Sequence, residues 1–380
     1  MRSIKAWWKE LPPKLRLVIS TALKLGITVL AFYALLTHKI KVDDGDPVTI
    51  LSAIRTYIPT VDGQTFWTFC ALAGGIKIIG VLCSAWSWHM LLEGQRVRFP
   101  FWRHIVTTFL IGRFIGTFLP STLGLDGYTF YDAGRYSGQW ERVAMAKGLE
   151  KFMGMTGLFL GMLLMMPFGI HIFGDNALIV GSIIGVLAGG IVLAVFLGVF
   201  KPALLQAVLR VPFPGRGKVE KQANRLVEAA GSYEGRTWLL IKVFMAKFMV
   251  HYTTAVVYVF TAMAVGVTSV DFGAVTFAST IQILGTVLSP TIAGEGAREA
   301  IQAFLLSGQM TPVQAILSAA LGFIAAEAVT LWGGAFWWGR RRGFRPAFCI
   351  VDDVQVDHAD LDQAEEPSTQ PRAEATTVPA

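Results

Sequence analysis

Five long apolar runs dominate this chain: residues 65–92, 152–168, 177–200, 237–265 and 312–338. A helix needs roughly 20 mostly apolar residues to cross the hydrocarbon core of a bilayer, and most of the runs reach or approach that length. A soluble core does not call for them. Only 16% of the 380 residues are charged and 53% are hydrophobic, whereas soluble domains carry about 25% charged residues. A basic start (Arg2, Lys5, Lys9, Lys14, Arg16) precedes a further apolar stretch, 17–36, with no small-residue cleavage pattern behind it. That stretch reads as a first anchored span, not a cleavable signal. The expected fold is all-α and polytopic.

Lys and Arg in short loops set orientation, and acidic residues count for little. Residues 1–16 hold five of them, 93–104 three, 132–151 four, 201–236 seven and 339–345 four. Residues 169–176, 266–271 and 308–311 hold none, and the three in 38–64 are diluted by four aspartates. The first group is expected to face the cytoplasm and the second the exterior. Both termini then lie in the cytoplasm, and a bacterial inner membrane is the expected location. Residues 352–380 hold eight acidic residues and one basic one, for a net −7 within a chain of net +7. The tail carries almost no large apolar residues and cannot bury enough surface to order itself. The expected division is a membrane domain, 1–345, and an acidic disordered tail, 346–380.

The loop charges place both flanks of 105–131 on the cytoplasmic side. This stretch is broken at Leu119-Pro120-Ser121-Thr122-Leu123-Gly124-Leu125-Asp126-Gly127, and its pieces are too short to span alone. Proline removes a helix donor and glycine loosens the backbone. A re-entrant hairpin fits. The second half repeats this from outside: 272–307 is broken at Ser289-Pro290-Thr291-Ile292-Ala293-Gly294-Glu295-Gly296-Ala297-Arg298-Glu299. The expectation is about six full spans plus two oppositely oriented re-entrant hairpins, an inverted repeat. Kinked full spans, giving eight crossings, are the alternative. Paired Pro/Gly interruptions in corresponding places point to a transporter's binding site.

Charge at membrane depth is expensive and marks function. The first hairpin carries Arg113 and Asp126, and the second Glu295, Arg298 and Glu299. Arg113 and Arg298 are expected to attract an anionic headgroup, with Asp126, Glu295 and Glu299 holding them or meeting a cationic group. A structural ion-pair network is the plainer alternative. Glu327 in the last span needs a partner, such as a hairpin arginine. Lys24 and Lys77 snorkel or pair, and Lys247 with His251 reads as a satisfied core pair. Glu150 and Lys151 sit where a plain interfacial role suffices. Three cysteines give no disulfide framework and no metal site. No Walker loop, His-Glu-x-x-His or nucleophile elbow occurs. No enzyme, cofactor, metal or nucleic-acid partner is expected.

Gly112-Arg113-Phe114, Phe118-Leu119-Pro120-Ser121, Gly124 and Asp126 resemble the lysylphosphatidylglycerol synthase transmembrane (flippase-like domain) family. So does Gly294-Glu295-Gly296-Ala297-Arg298-Glu299-Ala300, which follows a Gly-x-Gly-x-Arg-Glu pattern, and Glu150-Lys151 falls where the family has an acidic residue followed by arginine. The resemblance covers roughly 15–340. It implies a stand-alone translocase without a synthase domain, moving a polar-headed, anionic or aminoacylated lipid. Pro120, Ser121, Asp126, Glu150, Lys151, Pro290 and Glu327 join Arg113, Glu295, Arg298 and Glu299 as its expected substrate-binding residues. Thr129, Glu327 and Lys151 stand where the family often has arginine, so the cargo is not carried over. The alternative is a non-transporting membrane partner in cell-envelope or lipid-linked glycan assembly. Partners among envelope-biogenesis proteins, and a homo-oligomer, stay open.

Overall fold

The computed structural model describes residues 12–40, 47–118, 123–210, 216–289, 291, 296–340 and 344–356. Helices make up nearly all of it. The runs read above are the long helices: α1 (Pro13–Thr37), α3 (Gly63–Gly94), α6 (Trp140–Gly169), α7 (Ala177–Phe200), α10 (Thr237–Ala264) and α13 (Pro312–Gly339). Between them lie α2 (Ile50–Tyr57), α4 (Thr107–Phe118), α5 (Leu123–Ser137), α8 (Pro202–Leu209), α9 (Arg216–Gly231), α11 (Phe272–Leu288) and α12 (Ala297–Leu305). The stretches Gly63–Gly94, Trp140–Phe200, Thr237–Ala264 and Pro312–Gly339 are long and apolar enough to cross a membrane. Trp140–Phe200 is two helices, because a 3-10 turn at Ile170–Asn176 with Gly174 at φ 52° separates α6 from α7. Leu178, Val186 and Trp338 are 82%, 73% and 91% exposed. Side chains like these in contiguous apolar helix faces are suited to lipid, not water. The protein is a multi-pass membrane protein.

The basic loops gather at one end. Tyr233 donates to the Leu91 carbonyl at 2.8 Å, Arg236 to the Glu93 and Gly94 carbonyls at 3.1 and 2.8 Å, and Gln95 to Ser232 at 2.6 Å. The lysine- and arginine-poor loops meet at the other end. There the Tyr57 hydroxyl donates to the Val265 carbonyl at 2.6 Å and accepts from Gln314 at 2.8 Å, and His171 lies 3.1 Å from Asp271. Within the loop 38–64, α2 is capped by Thr49 accepting from the Ser52 amide. Within the basic segment 201–236, α9 buries Leu226, Ala229 and Ala230.

Both short pairs are antiparallel. Gly112 and Gly116 of α4 face Leu125 and Gly124 of α5, while His104, at the outer end before α4, meets Asp132 near the outer end of α5. α11 and α12 run side by side, with Gly285 against Ile301. At 1.5 Å per residue, α4, α5, α11 and α12 are about 18, 22, 26 and 14 Å long, each short of a hydrocarbon core of about 30 Å, although a π-helical segment, Phe101–Val106, runs directly into α4.

The halves exchange contacts. α3 and α10 form the most extensive helix pair, α6 packs on α10 and α11, and α13 packs on α3 and α4. Glycines allow the close approaches, as in other membrane helix pairs. A side chain at Gly157 would strike the Lys247 backbone, and one at Gly333 the Leu110 carbonyl.

Residues placed in the acidic tail by sequence contribute structure. β4 (Ile350–Val351) and β5 (Val354–Gln355) form a hairpin that pairs antiparallel with β3 (Val97–Arg98), and Cys349 is fully buried. Asp352 and Asp353 turn the hairpin at φ 49° and 64°, and their carboxylates meet Arg142 at 2.9 Å and Arg98 at 3.2 Å. The expected tail therefore starts no earlier than residue 357, and 357–380 lie outside the described residues. A second two-stranded pair joins β1 (Lys39–Ile40) to β2 (Val48–Thr49). Trp88 is 1% exposed and belongs to the core, whereas Trp67, Trp102, Trp238 and Trp338 are exposed.

Candidate functional site

Four polar clusters lie within the helical body. The first centres on Glu150 of α6, 6% exposed. Its two oxygens take Lys147 Nζ at 2.5 Å and Lys247 Nζ, from α10, at 2.7 Å. Lys247 also donates to Ser84 of α3 at 3.3 Å, and Lys147 to Thr129 of α5 at 2.8 Å. The Lys147 ammonium sits 3.8 Å above the Trp88 ring. Through its two lysines this carboxylate ties four helices together. His251, one turn from Lys247, meets the Gly154 carbonyl at 2.9 Å.

The second cluster again holds two cations and one carboxylate. Lys77 of α3 is 8% exposed and donates to Thr254 at 3.2 Å. Arg113 of α4 and Glu327 of α13 lie within electrostatic range of it. Glu327 also acts on Arg113 through space. The Glu327 carboxylate, however, accepts from Thr117 at 2.8 Å and Thr330 at 2.9 Å. Among the described residues neither Lys77 nor Arg113 forms an ion pair, and the buried Arg113 Nε has no hydrogen-bond partner.

The third cluster opens α12. Gly296 has φ 78°, a left-handed conformation that glycine adopts freely. Its N–H donates to Glu299 Oε2 at 2.7 Å, and Glu299 Oε1 takes Arg298 at 3.0 and 2.6 Å. Arg298 is 4% exposed and stacks 4.3 Å from the Phe323 ring. Glu299 therefore caps the helix and holds the arginine at once. Gln282 of α11 is fully buried beside Tyr258, and neither amide atom has a partner among the described residues.

The fourth cluster was not foreseen. Asp132 of α5 takes Arg340 at 2.7 Å and Thr108 at 3.1 Å, and lies 2.7 Å from His104 Nε2. Arg340 also donates to Thr108 at 2.6 Å and Tyr128 at 3.0 Å, and lies 4.2 Å from the Phe344 ring. Arg340 had been counted only as a loop charge. These partners lie up to 232 residues apart, and no local spacing announces them.

Asp126 stands apart, with Lys151 at 3.4 Å in a partly exposed pair. Lys151 also borders a groove of about 630 Å³ between α6 and α9, with Arg225, Glu228, Phe152 and Met155. So Arg298 pairs with Glu299 and Asp126 with Lys151, while Arg113 lies within electrostatic range of Glu327 without an ion pair, instead of one cluster of all. Pro120, Ser121, Pro290 and Glu295 lie outside the described residues.

The family described as the lysylphosphatidylglycerol synthase TM region matches residues 16–333. The chain belongs to that family. No curated protein matches it. The lysylphosphatidylglycerol synthase TM region takes in the first three clusters whole, and Arg340 lies just beyond it.

Outside the spans, burial pushes the Cys349 thiol up to about 12 and raises the Tyr233 phenol above its usual range. The Thr65 amide and hydroxyl hold the Asp62 carboxyl, which caps α3, below its usual value.

Proposed function

We propose that this protein is a lipid translocase, moving a polar-headed lipid between leaflets without altering it chemically. The observation that carries the reading is the placing of buried charges beside two short antiparallel helix pairs. Arg113 and Arg298 sit on α4 and α12, facing glutamates on α13 and on α12 itself. Helix pairs this short read as re-entrant, entering from opposite faces between six full spans. The exchange of packing between the halves supports an inverted repeat, around which transporters rock. In this reading the basic end is cytoplasmic, both termini lie there, and the membrane is a bacterial inner membrane. Headgroup contact falls to Arg113, Lys151, Arg298, Glu299 and Glu327, together with Pro120, Ser121, Pro290 and Glu295 at the breaks.

Reconstitution tests this. Purified protein in liposomes is expected to accelerate transbilayer movement of at least one lipid in a panel of anionic, zwitterionic and aminoacylated species. No acceleration for any of them would remove the translocase reading.

A further inference from the structure

The first two clusters have the same formal inventory, two cations and one carboxylate, but are resolved differently. Around Glu150 both lysines touch the carboxylate, and each has a second polar partner as well. Around Glu327 the carboxylate is engaged by two threonine hydroxyls, and neither cation reaches it. Lys77 has one hydroxyl, and Arg113 Nε has nothing, among the described residues. Among those residues Glu327 is the one carboxylate acting on either cation. Charge held in a low-dielectric interior is stabilised by a counter-charge at contact distance. An ammonium and a guanidinium from different helices suit a tetrahedral oxyanion, the guanidinium through its fork of donors.

We propose that Lys77 and Arg113 form a binding site for a phosphate-type anion, with the phosphodiester of a phospholipid headgroup as its ligand. This rests on the translocase reading for how a lipid reaches the site. Lys77 supplies a point charge from α3 and Arg113 a directed donor from the first short pair. Glu327, kept back by Thr117 and Thr330, stays available for a cationic substituent on the same headgroup.

The test is lipid binding to the full chain in nonionic detergent, read by native mass spectrometry. Three probes are compared: phosphatidylglycerol, diacylglycerol with the same chains, and inorganic phosphate. Phosphatidylglycerol is expected to bind and diacylglycerol not to. Lys77→Gln and Arg113→Gln are each expected to weaken phosphatidylglycerol binding by on the order of tenfold, and Lys77→Arg to keep most of it. Competition by millimolar phosphate would make the free anion a sufficient ligand; no competition would make the lipid the ligand, and either supports the site. Equal binding of diacylglycerol by the wild type would mean the cations are balanced within the protein and would overturn the proposal, whether or not a variant folds. So would unchanged affinity in both glutamine variants. Liposome assays separate the two readings. Wild-type lipid movement that survives Lys77→Gln at full rate removes the site and leaves the translocase. Charge-dependent binding without any lipid movement does the reverse.

Discussion

At the residue scale, Glu150 stands out because two lysines, one buried and one half-buried, depend on it. Removing one partner of a buried ion pair destabilises by about 3–5 kcal/mol, since the other charge is left uncompensated. Glu150→Gln is therefore expected to lower the unfolding midpoint in detergent by that order, and adding Lys247→Met should return part of the loss. An unchanged midpoint in Glu150→Gln would mean the lysines find other partners. Cys349 offers a second check. With its thiol near 12, only on the order of one in ten thousand is thiolate at pH 8, and the thiolate is the nucleophile. Iodoacetamide should leave Cys349 unlabelled in the folded protein and label it after unfolding. At this scale sequence disclosed what is local. Arg298 and Glu299 are adjacent, and their pairing could be read directly. The meeting of Lys77, Arg113 and Glu327 is set by helix packing across the two halves, and nothing in the spacing of those residues encodes it.

At the scale of elements, the long helices were legible because a bilayer imposes one length and one polarity on whatever crosses it. The breaks were legible through Pro and Gly. The ends of the short pairs were not, since their partners lie in other loops. The α4–α5 pair depends on Gly124, whose added side chain would collide with the Gly116 backbone. Gly124→Val should destabilise by about 1–3 kcal/mol, as overpacking does, and thermal unfolding in detergent would measure it. Gly127, at which an added Cβ meets nothing within 4 Å, serves as the control. The β4–β5 hairpin escaped notice because its turn residues, Asp352 and Asp353, are also the first two acids of the tail. Composition alone cannot separate a turn from the disordered run that follows it.

At the scale of the whole molecule, sidedness is the deciding question. Single cysteines placed at Arg103 and Gly138 in a cysteine-free background should react with an impermeant maleimide from one side of the membrane. Cysteines at Ser269 and Gln309 should react from the other. If Arg103 and Gly138 label from opposite faces, the α4–α5 pair is a kinked full crossing and the count of crossings changes. Shortening the chain tests the sheet. Ending it after Val356 should leave the melting temperature unchanged, while ending it after Arg345 removes β4 and β5, exposes Val97 and Phe99, and should lower it.

The sheet also joins what a rocking motion would part. β3 belongs to the connection between α3 and α4, and β4 follows α13. A two-residue ladder and the Arg142–Asp352 and Arg98–Asp353 pairs thus stitch the first half to the second at the basic end. They set a limit of travel there: α13 can swing from the first half only as far as this stitch stretches, or must carry β3 with it. The opposite end is tied by side chains and not by a sheet: Tyr57 of α2 bonds Val265 and Gln314, and His171 lies 3.1 Å from Asp271.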